Sequence, residues 1–262
     1  MSVTRLGAVD YLNARPLVFG LETKNELFAL RFDVPSKCAA LLHDGSIDVG
    51  MIPSIEYLRG PSAYRIVPGM GIISDGPVAS VAIFSSRPIE QVRSIALDTS
   101  SRVSAGLVRV LSREAFGIEP AFVPMAPGID EMLRKCDAAL LIGDPALYLD
   151  HAALGILKID LGEEWTRFTG LPFVWAFWAG RGGVLTPTQI AALTDARDTG
   201  VAASDTVADD YCGPARAALG RAYLRDNIQY TLDGRAIAGL KRYYWLAHKY
   251  RLVDAVRDVQ FF

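Results

Sequence analysis

The sequence predicts an α/β protein folded as two lobes with a ligand cleft between them. Three observations predict it. In the N-terminal part, short apolar strands end in small polar residues and pass into helices, a β-α-β rhythm. A second alternating set, with apolar residues for a core of its own, runs from Ile89 to Ile142. The uncharged apolar run from Leu171 to Ala179 then makes one long strand that returns the chain to the first set. The expected division is a discontinuous lobe of residues 1–82 and 177–262 carrying the C-terminal helices, and an inserted lobe of residues 83–176.

The elements follow in order. Residues 5–9 alternate as a strand that delivers Asn13 to a turn, and 18–21 continue as a helix begun near Pro16. A second strand at 31–34 leads into a helix opened by Pro35 and Ser36 and stopped at Gly45. A third strand, 47–52, ends at Pro53 and Ser54, and a helix starts over 55–58. Strands follow at 65–67, 70–74 and 78–85, punctuated by Pro68-Gly69 and Asp75-Gly76-Pro77. The second set comprises 89–92, a strand at 94–97, a helix at 103–115, a strand at 120–124, residues 129–135 and a strand at 138–142. An irregular piece precedes the return strand. Beyond Thr186 the pattern is helical, with helices expected over 187–199, 204–219, 221–230 and 233–251 and a short apolar tail from 254.

Composition narrows the function. Of the 262 residues, 51% are hydrophobic, enough for a substantial core without staples. The formal charge of −2 is spread without a basic run, which argues against nucleic acid and leaves a small solute as the partner. Cys38, Cys136 and Cys212 are far apart and form no CxxC, so they read as thiols of a reducing compartment. The N-terminus moves directly into a strand without the pattern of a secretory leader, and no apolar run reaches membrane-spanning length. A cytoplasmic protein without a membrane partner is expected. His43, His151 and His248 are isolated, and there is no phosphate loop, no G-x-S-x-G elbow and no Cys/His pair. Neither metal nor cofactor is implied, and nucleophilic catalysis has no support.

The most informative stretch is Leu97-Asp98-Thr99-Ser100-Ser101-Arg102-Val103-Ser104. It reads as strand, turn and helix start, where free backbone N–H groups and the positive end of the dipole suit a carboxylate or phosphate. One of these hydroxyls serving only as a helix cap is the competing reading.

Further motifs carry a resemblance. They are Gly7-Ala8-Val9-x-Tyr11-Leu12-Asn13-x-x-Pro16-Leu17, Asp48-Val49-Gly50-x-Ile52-Pro53-Ser54 and Ser74-Asp75-Gly76-Pro77-Val78-x-Ser80-Val81. Ala96 to Arg102, Leu141-Ile142-Gly143-Asp144-Pro145-Ala146-Leu147 and Gly170-Leu171-Pro172-Phe173-Val174 continue them. Up to about residue 180 the chain resembles the chorismate dehydratases of the futalosine route to menaquinone. It departs from their usual Ser or Thr at Asp10 and Ala14, neither of which touches Asn13.

The resemblance implies a periplasmic-binding-protein-like (type II) fold and a hydro-lyase that converts chorismate to 3-[(1-carboxyvinyl)oxy]benzoate. A sister lyase of the same route, forming 1,4-dihydroxy-6-naphthoate, shares the fold, and a non-enzymatic binder of a small anion is the other alternative. Chorismate is a dicarboxylate, so its site needs two separated donor sets. Thr99, Ser100 and Ser101 are the candidates for one carboxylate, and the resemblance puts Asn13 and Ser80 in the catalytic role on the other side. Ser54 and Asp144 complete the substrate-binding candidates. For Asn13 the alternative is an Asx-turn that shapes the loop, and for Asp144 a helix cap with Pro145 following. Arg15 and Arg102 are read as surface residues, and Trp175 and Trp178 as core or cleft wall.

Overall fold

Two mixed sheets, joined by two segments of chain, carry the architecture. The computed structural model describes residues 3–262; Met1 and Ser2, at the start of the N-terminus read above as lacking a leader, lie outside the described residues. Along the chain come β1 (Thr4–Val9), β2 (Phe28–Asp33), α1 (Pro35–His43), β3 (Val49–Pro53), α2 (Glu56–Arg59), β4 (Tyr64–Ile66) and β5 (Ile72–Ser74). Then follow β6 (Val81–Ser85), β7 (Ser94–Asp98), α3 (Arg102–Glu114), β8 (Ala121–Met125), α4 (Ile129–Lys135), β9 (Ala138–Ile142) and α5 (Gly143–Leu147). The chain continues with β10 (Leu157–Asp160), α6 (Leu161–Thr169), β11 (Phe173–Arg181), α7 (Pro187–Ala202), α8 (Ser204–Cys212), α9 (Ala217–Asp226) and α10 (Gly234–Lys249).

The first sheet has the order β2-β1-β3-β11-β4, with β5 also on β11; the second has the order β10-β6-β9-β7-β8. β1 is parallel to β2 and β3, whereas β11 runs antiparallel to β3, β4 and β5. In the second sheet β7 is parallel to β8 and β9, and β6 is antiparallel to β9 and β10. β11 is buried from Phe173 to Gly180, which is why its sequence is an unbroken apolar run. The limits expected at 82/83 and 176/177 fall inside β6 and β11, each of which belongs along its whole length to one sheet. The joining segments are residues 75–80 and 161–172.

Local sequence explains most element boundaries. Ser101 caps α3 by accepting from the Ser104 amide, and Val103, Leu107, Val110 and Leu111 form its buried face. Thr186 and Gln189 form a capping box at α7, with Pro187 in its first turn. Several expectations are corrected. The helix read at 18–21 is a 3-10 turn over Leu12–Val18, with Pro16 inside it. The segment at 89–92, given no type above, holds a 3-10 turn over Ile89–Gln91. The helix expected over 204–219 stops at Cys212, because Gly213 adopts a positive φ of 65° and Pro214 cannot continue the ladder. The irregular piece contains β10 and α6. The apolar tail returns to the first sheet, where the Phe262 amide donates to the Ile66 carbonyl.

The first crossing is held by one carboxylate. Asp160, 9% exposed, accepts from the amides of Val78 (3.0 Å) and Ala79 (2.7 Å) on the crossing segment. It also caps α6 through Gly162 and Glu163. Lys158 donates to the Ala79 carbonyl, and Ala79 is held at a φ of 61°, a left-handed conformation that an alanine adopts only when its surroundings impose it. Ser80 is the next residue. Asp160→Ala leaves these buried amides unpaired and is expected to destabilise the fold by about 3 kcal/mol, read as a lower midpoint in chemical denaturation. Asp160→Asn, which keeps one acceptor oxygen, is expected to cost about half as much.

Candidate functional site

Between the two sheets lies a slot with about 480 Å³ of atom-free space. Its walls are apolar, chiefly Val9, Pro53, Ile72, Val81, Ile142 and Trp175, and its polar lining is Tyr11, Asn13, Ser80, Ser101 and Ser104. All the lining side chains are uncharged. A ligand in the slot therefore meets neutral hydrogen-bond donors against a dry wall, where each such bond is stronger than in water.

Asn13 and Ser80 come from unrelated pieces of chain, and each is held by a tyrosine from the C-terminal part. Asn13 rides on the 3-10 turn after β1, and its backbone carbonyl accepts from the Tyr230 hydroxyl at 2.9 Å. Ser80 ends the first crossing, and its hydroxyl lies 2.7 Å from that of Tyr223 on α9. Burial pushes the pKa of the Tyr223 hydroxyl up, so it stays protonated at neutral pH. Tyr223 and Tyr230 thus fix the two residues expected to be catalytic. Neither tyrosine was singled out in the sequence, where 143 residues separate Tyr223 from Ser80.

The start of α3 also lines the slot. Ser101 donates to the Ser104 hydroxyl at 2.8 Å, and both line the slot with Val103. The amides of Arg102 and Val103 belong to the first turn and have no intrahelical partner. Ser104 also escaped the sequence reading, although it stands three residues after the cap, where an N-terminal turn brings a side chain back over that cap.

Thr99 and Ser100 do not join Ser101. The Asp98 carboxylate accepts from the Ser100 amide (2.8 Å) and hydroxyl (2.6 Å), and this Asx turn delays the helix to Arg102. Burial raises the pKa of Asp98, and its bonds to Ser100 oppose that rise. The Thr99 amide is taken by the Met125 carbonyl, continuing the β7–β8 pairing, and its side chain faces a neighbouring groove. Ser100 instead offers its carbonyl to the Ser36 amide across the two lobes.

Ser54 and Asp144 also lie outside the lining. Ser54 is fully buried behind Pro53, with its amide on the Trp175 carbonyl and its carbonyl on the Tyr244 hydroxyl, while its own hydroxyl has no partner among the described residues. Asp144 does not cap α5. Its carboxylate accepts from the Leu12 amide (3.4 Å) and the Tyr211 hydroxyl, tying the second lobe to the first. Burial raises its pKa, an effect that the Tyr211 bond opposes. Gly143 beside it has a φ of 62° and faces the Tyr11 ring so closely that a Cβ would sit 2.9 Å from it. Trp175 lines the slot and donates to the Ser74 hydroxyl at 3.0 Å, whereas Trp178 is fully buried. Arg15 lies over the rings of Phe32 and Tyr211, outside the slot, and Arg102 pairs with Glu56 at 2.7 Å.

Comparison with known proteins fits this geometry. Residues 4–249 match a family model described as menaquinone biosynthesis. The chorismate dehydratase of Thermus thermophilus is 30% identical over 220 residues, spanning 78% of this chain and 80% of that protein. The chorismate dehydratase of Campylobacter jejuni is 32% identical over 179 residues, spanning 65% of this chain and 64% of that protein. Among solved structures, a protein of Archaeoglobus fulgidus superposes with a TM-score of 0.76 at 16% identity, over 95% of this chain and 98% of its own. The alkanesulfonate-binding protein SsuA of Xanthomonas axonopodis pv. citri, bound to MOPS, superposes with a TM-score of 0.68 at 16% identity, over 97% and 94%. At such identities the structural likeness establishes the fold, an α/β periplasmic-binding-protein-like one. No helix among the described residues is long and apolar enough to cross a membrane.

Proposed function

The chain belongs to the menaquinone-biosynthesis family, and on that premise we propose that it is a chorismate dehydratase, removing water from chorismate to form 3-[(1-carboxyvinyl)oxy]benzoate. The curated relatives favour this over a solute-binding protein or the sister lyase. The observation that carries the reading from the geometry is a slot of apolar wall with neutral donors contributed by separate pieces of chain. Such a slot suits a flat ring with two carboxylates.

In this reading Ser101, Ser104 and the free amides of the α3 first turn hold one carboxylate. Asn13 and Ser80, braced by Tyr230 and Tyr223 respectively, address the departing hydroxyl and hold the ring. The reaction breaks the C–O bond to that hydroxyl and removes the proton from the neighbouring ether-bearing carbon, and the ring becomes aromatic. That gain leaves little for the protein to supply beyond orientation, a donor to the leaving oxygen and exclusion of water. The uncharged lining supports the substrate's own enolpyruvyl carboxylate as the proton acceptor. Asp10, Asp98 and Asp144, carboxylates close to the lining in sequence, are engaged by Arg15, by Ser100, and by Leu12 and Tyr211. The three cysteines are free thiols, in keeping with a cytoplasmic location.

The test is incubation of the purified protein with chorismate, followed by chromatography and mass spectrometry. The reading expects a product lighter by one water and aromatic in the ultraviolet; unchanged chorismate would overturn it. Tyr223→Phe is expected to fold normally and to lower kcat about 10-fold with KM nearly unchanged, because it removes the brace on Ser80 without removing Ser80 itself. Steady-state kinetics beside a thermal melt checks this.

A further inference from the structure

On the far side of the Ser101 wall lies a second cavity, an open groove with about 650 Å³ of atom-free space. Arg59 from α2 reaches it from the first lobe; Thr99, Arg102 and Arg109 reach it from the second. The charges there do not balance. Glu56, 1% exposed, is shared between Arg102 at 2.7 Å and Arg59 at 3.2 Å, while Arg59 spends two further donors on the Leu252 carbonyl. Arg109 has no ion pair among the described residues. Its guanidinium stacks over the Phe122 ring at 4.3 Å, and burial together with the like charges of Arg113 and Arg59 weakens its hold on its proton. Asp98 also lines the groove, but its carboxylate is turned to Ser100. The exposed Thr99 side chain faces the same space.

A half-buried, stacked guanidinium without a counter-ion is a costly arrangement unless something supplies the missing charge. The groove is the place for it. We propose that this groove is a second anion site, separate from the slot, which takes a phosphate or carboxylate group of a small metabolite on Arg109, the free donors of Arg102 and the Thr99 hydroxyl.

The experiment is calorimetric titration of the whole protein with inorganic phosphate at low ionic strength, repeated with the slot saturated by 3-[(1-carboxyvinyl)oxy]benzoate. Expected is one phosphate per chain, with an affinity unchanged by the benzoate. Arg109→Gln is expected to weaken it at least 10-fold, Arg109→Lys to retain most of it, and Arg242→Gln, at an exposed position on α10, to leave it unchanged; thermal melts establish that each variant folds. Phosphate binding equal in Arg109→Gln and the parent overturns the proposal, as does loss of phosphate binding with the first equivalent of benzoate, which would place the anion in the slot. The benzoate arm alone rests on the dehydratase reading: if the benzoate does not bind, that reading fails and the Arg109 variants decide this one. A second equivalent of benzoate that disappears in Arg109→Gln would identify a carboxylate as the source of the anion. Phosphate binding without that second equivalent would point to a phosphorylated metabolite.

Discussion

Asn13→Ala is expected to lower kcat with chorismate by about 10²-fold or more while leaving the fold intact. The size follows from geometry. Asn13 sits on a tight 3-10 turn whose backbone is pinned where Tyr230 donates to the Asn13 carbonyl, so the residue is delivered to the slot wall from a fixed backbone position. Preorganised groups of this kind are worth the most where a transition state needs them, and misplacing a reacting centre by an ångström commonly costs two orders of magnitude. The turn does not need the side chain, because its backbone bonds run from the Ala14 amide to the Tyr11 carbonyl and from Tyr230 to the Asn13 carbonyl. A kcat within threefold of the parent would remove Asn13 from the chemistry. A collapsed thermal melt would show that the residue is structural after all.

Ser101→Asp is expected to weaken binding of the aromatic dicarboxylate product by about 10²-fold in a calorimetric titration. Aspartate is as good a helix cap as serine, so α3 should still begin at Arg102 and the variant should fold. What changes is charge. A carboxylate set at the slot wall within about 4 Å of a bound carboxylate repels it by about 4 kcal/mol at an effective dielectric near 20, before relaxation and salt reduce the figure. Equal affinities in the two proteins would mean that no ligand carboxylate lies at this helix start.

How much of this was legible in the sequence varies with the range of the interaction. Ser101 could be found because a cap is a local event, and its neighbours supply the strand before it and the apolar face after it. Thr99 and Ser100 carry the same residue chemistry, yet the Asp98 side chain intercepts Ser100 and the sheet takes the Thr99 amide, which moves the helix start by two residues. Such competition for the same donors is invisible to a pattern of hydroxyls. Asn13 and Ser80 rest on the resemblance, whereas the contact that holds Ser80 is visible only in the fold, since Tyr223 lies 143 residues away on a C-terminal helix. Asp144 illustrates the opposite case. A carboxylate at a strand end was read as a ligand or a cap, and the fold uses it to tie Leu12 and Tyr211 across the lobes.

Element boundaries follow the same division. The return strand was plain because β11 is buried along nearly its whole length, and the sequence shows that as an apolar run. β10 and α6 were missed: β10 has only four residues, two of them partly exposed, and α6 is opened by Asp160, whose second role is to hold Val78 and Ala79 from far along the chain. The break at Gly213-Pro214 was local and should have been read from the dipeptide itself.

The central claim is that this slot performs an elimination with donors alone, the substrate supplying the base. It is tested most directly with a chorismate analogue whose enolpyruvyl carboxylate is an amide, compared with chorismate at saturating concentration so that weaker binding is not mistaken for slower chemistry. The account predicts that the amide binds in the slot and loses water at least 10²-fold more slowly, because an amide is a far weaker proton acceptor than a carboxylate. Turnover of the amide at the parent's rate would contradict it, and would require a base from the protein, for which Asp144, freed from Tyr211, is the first residue to replace.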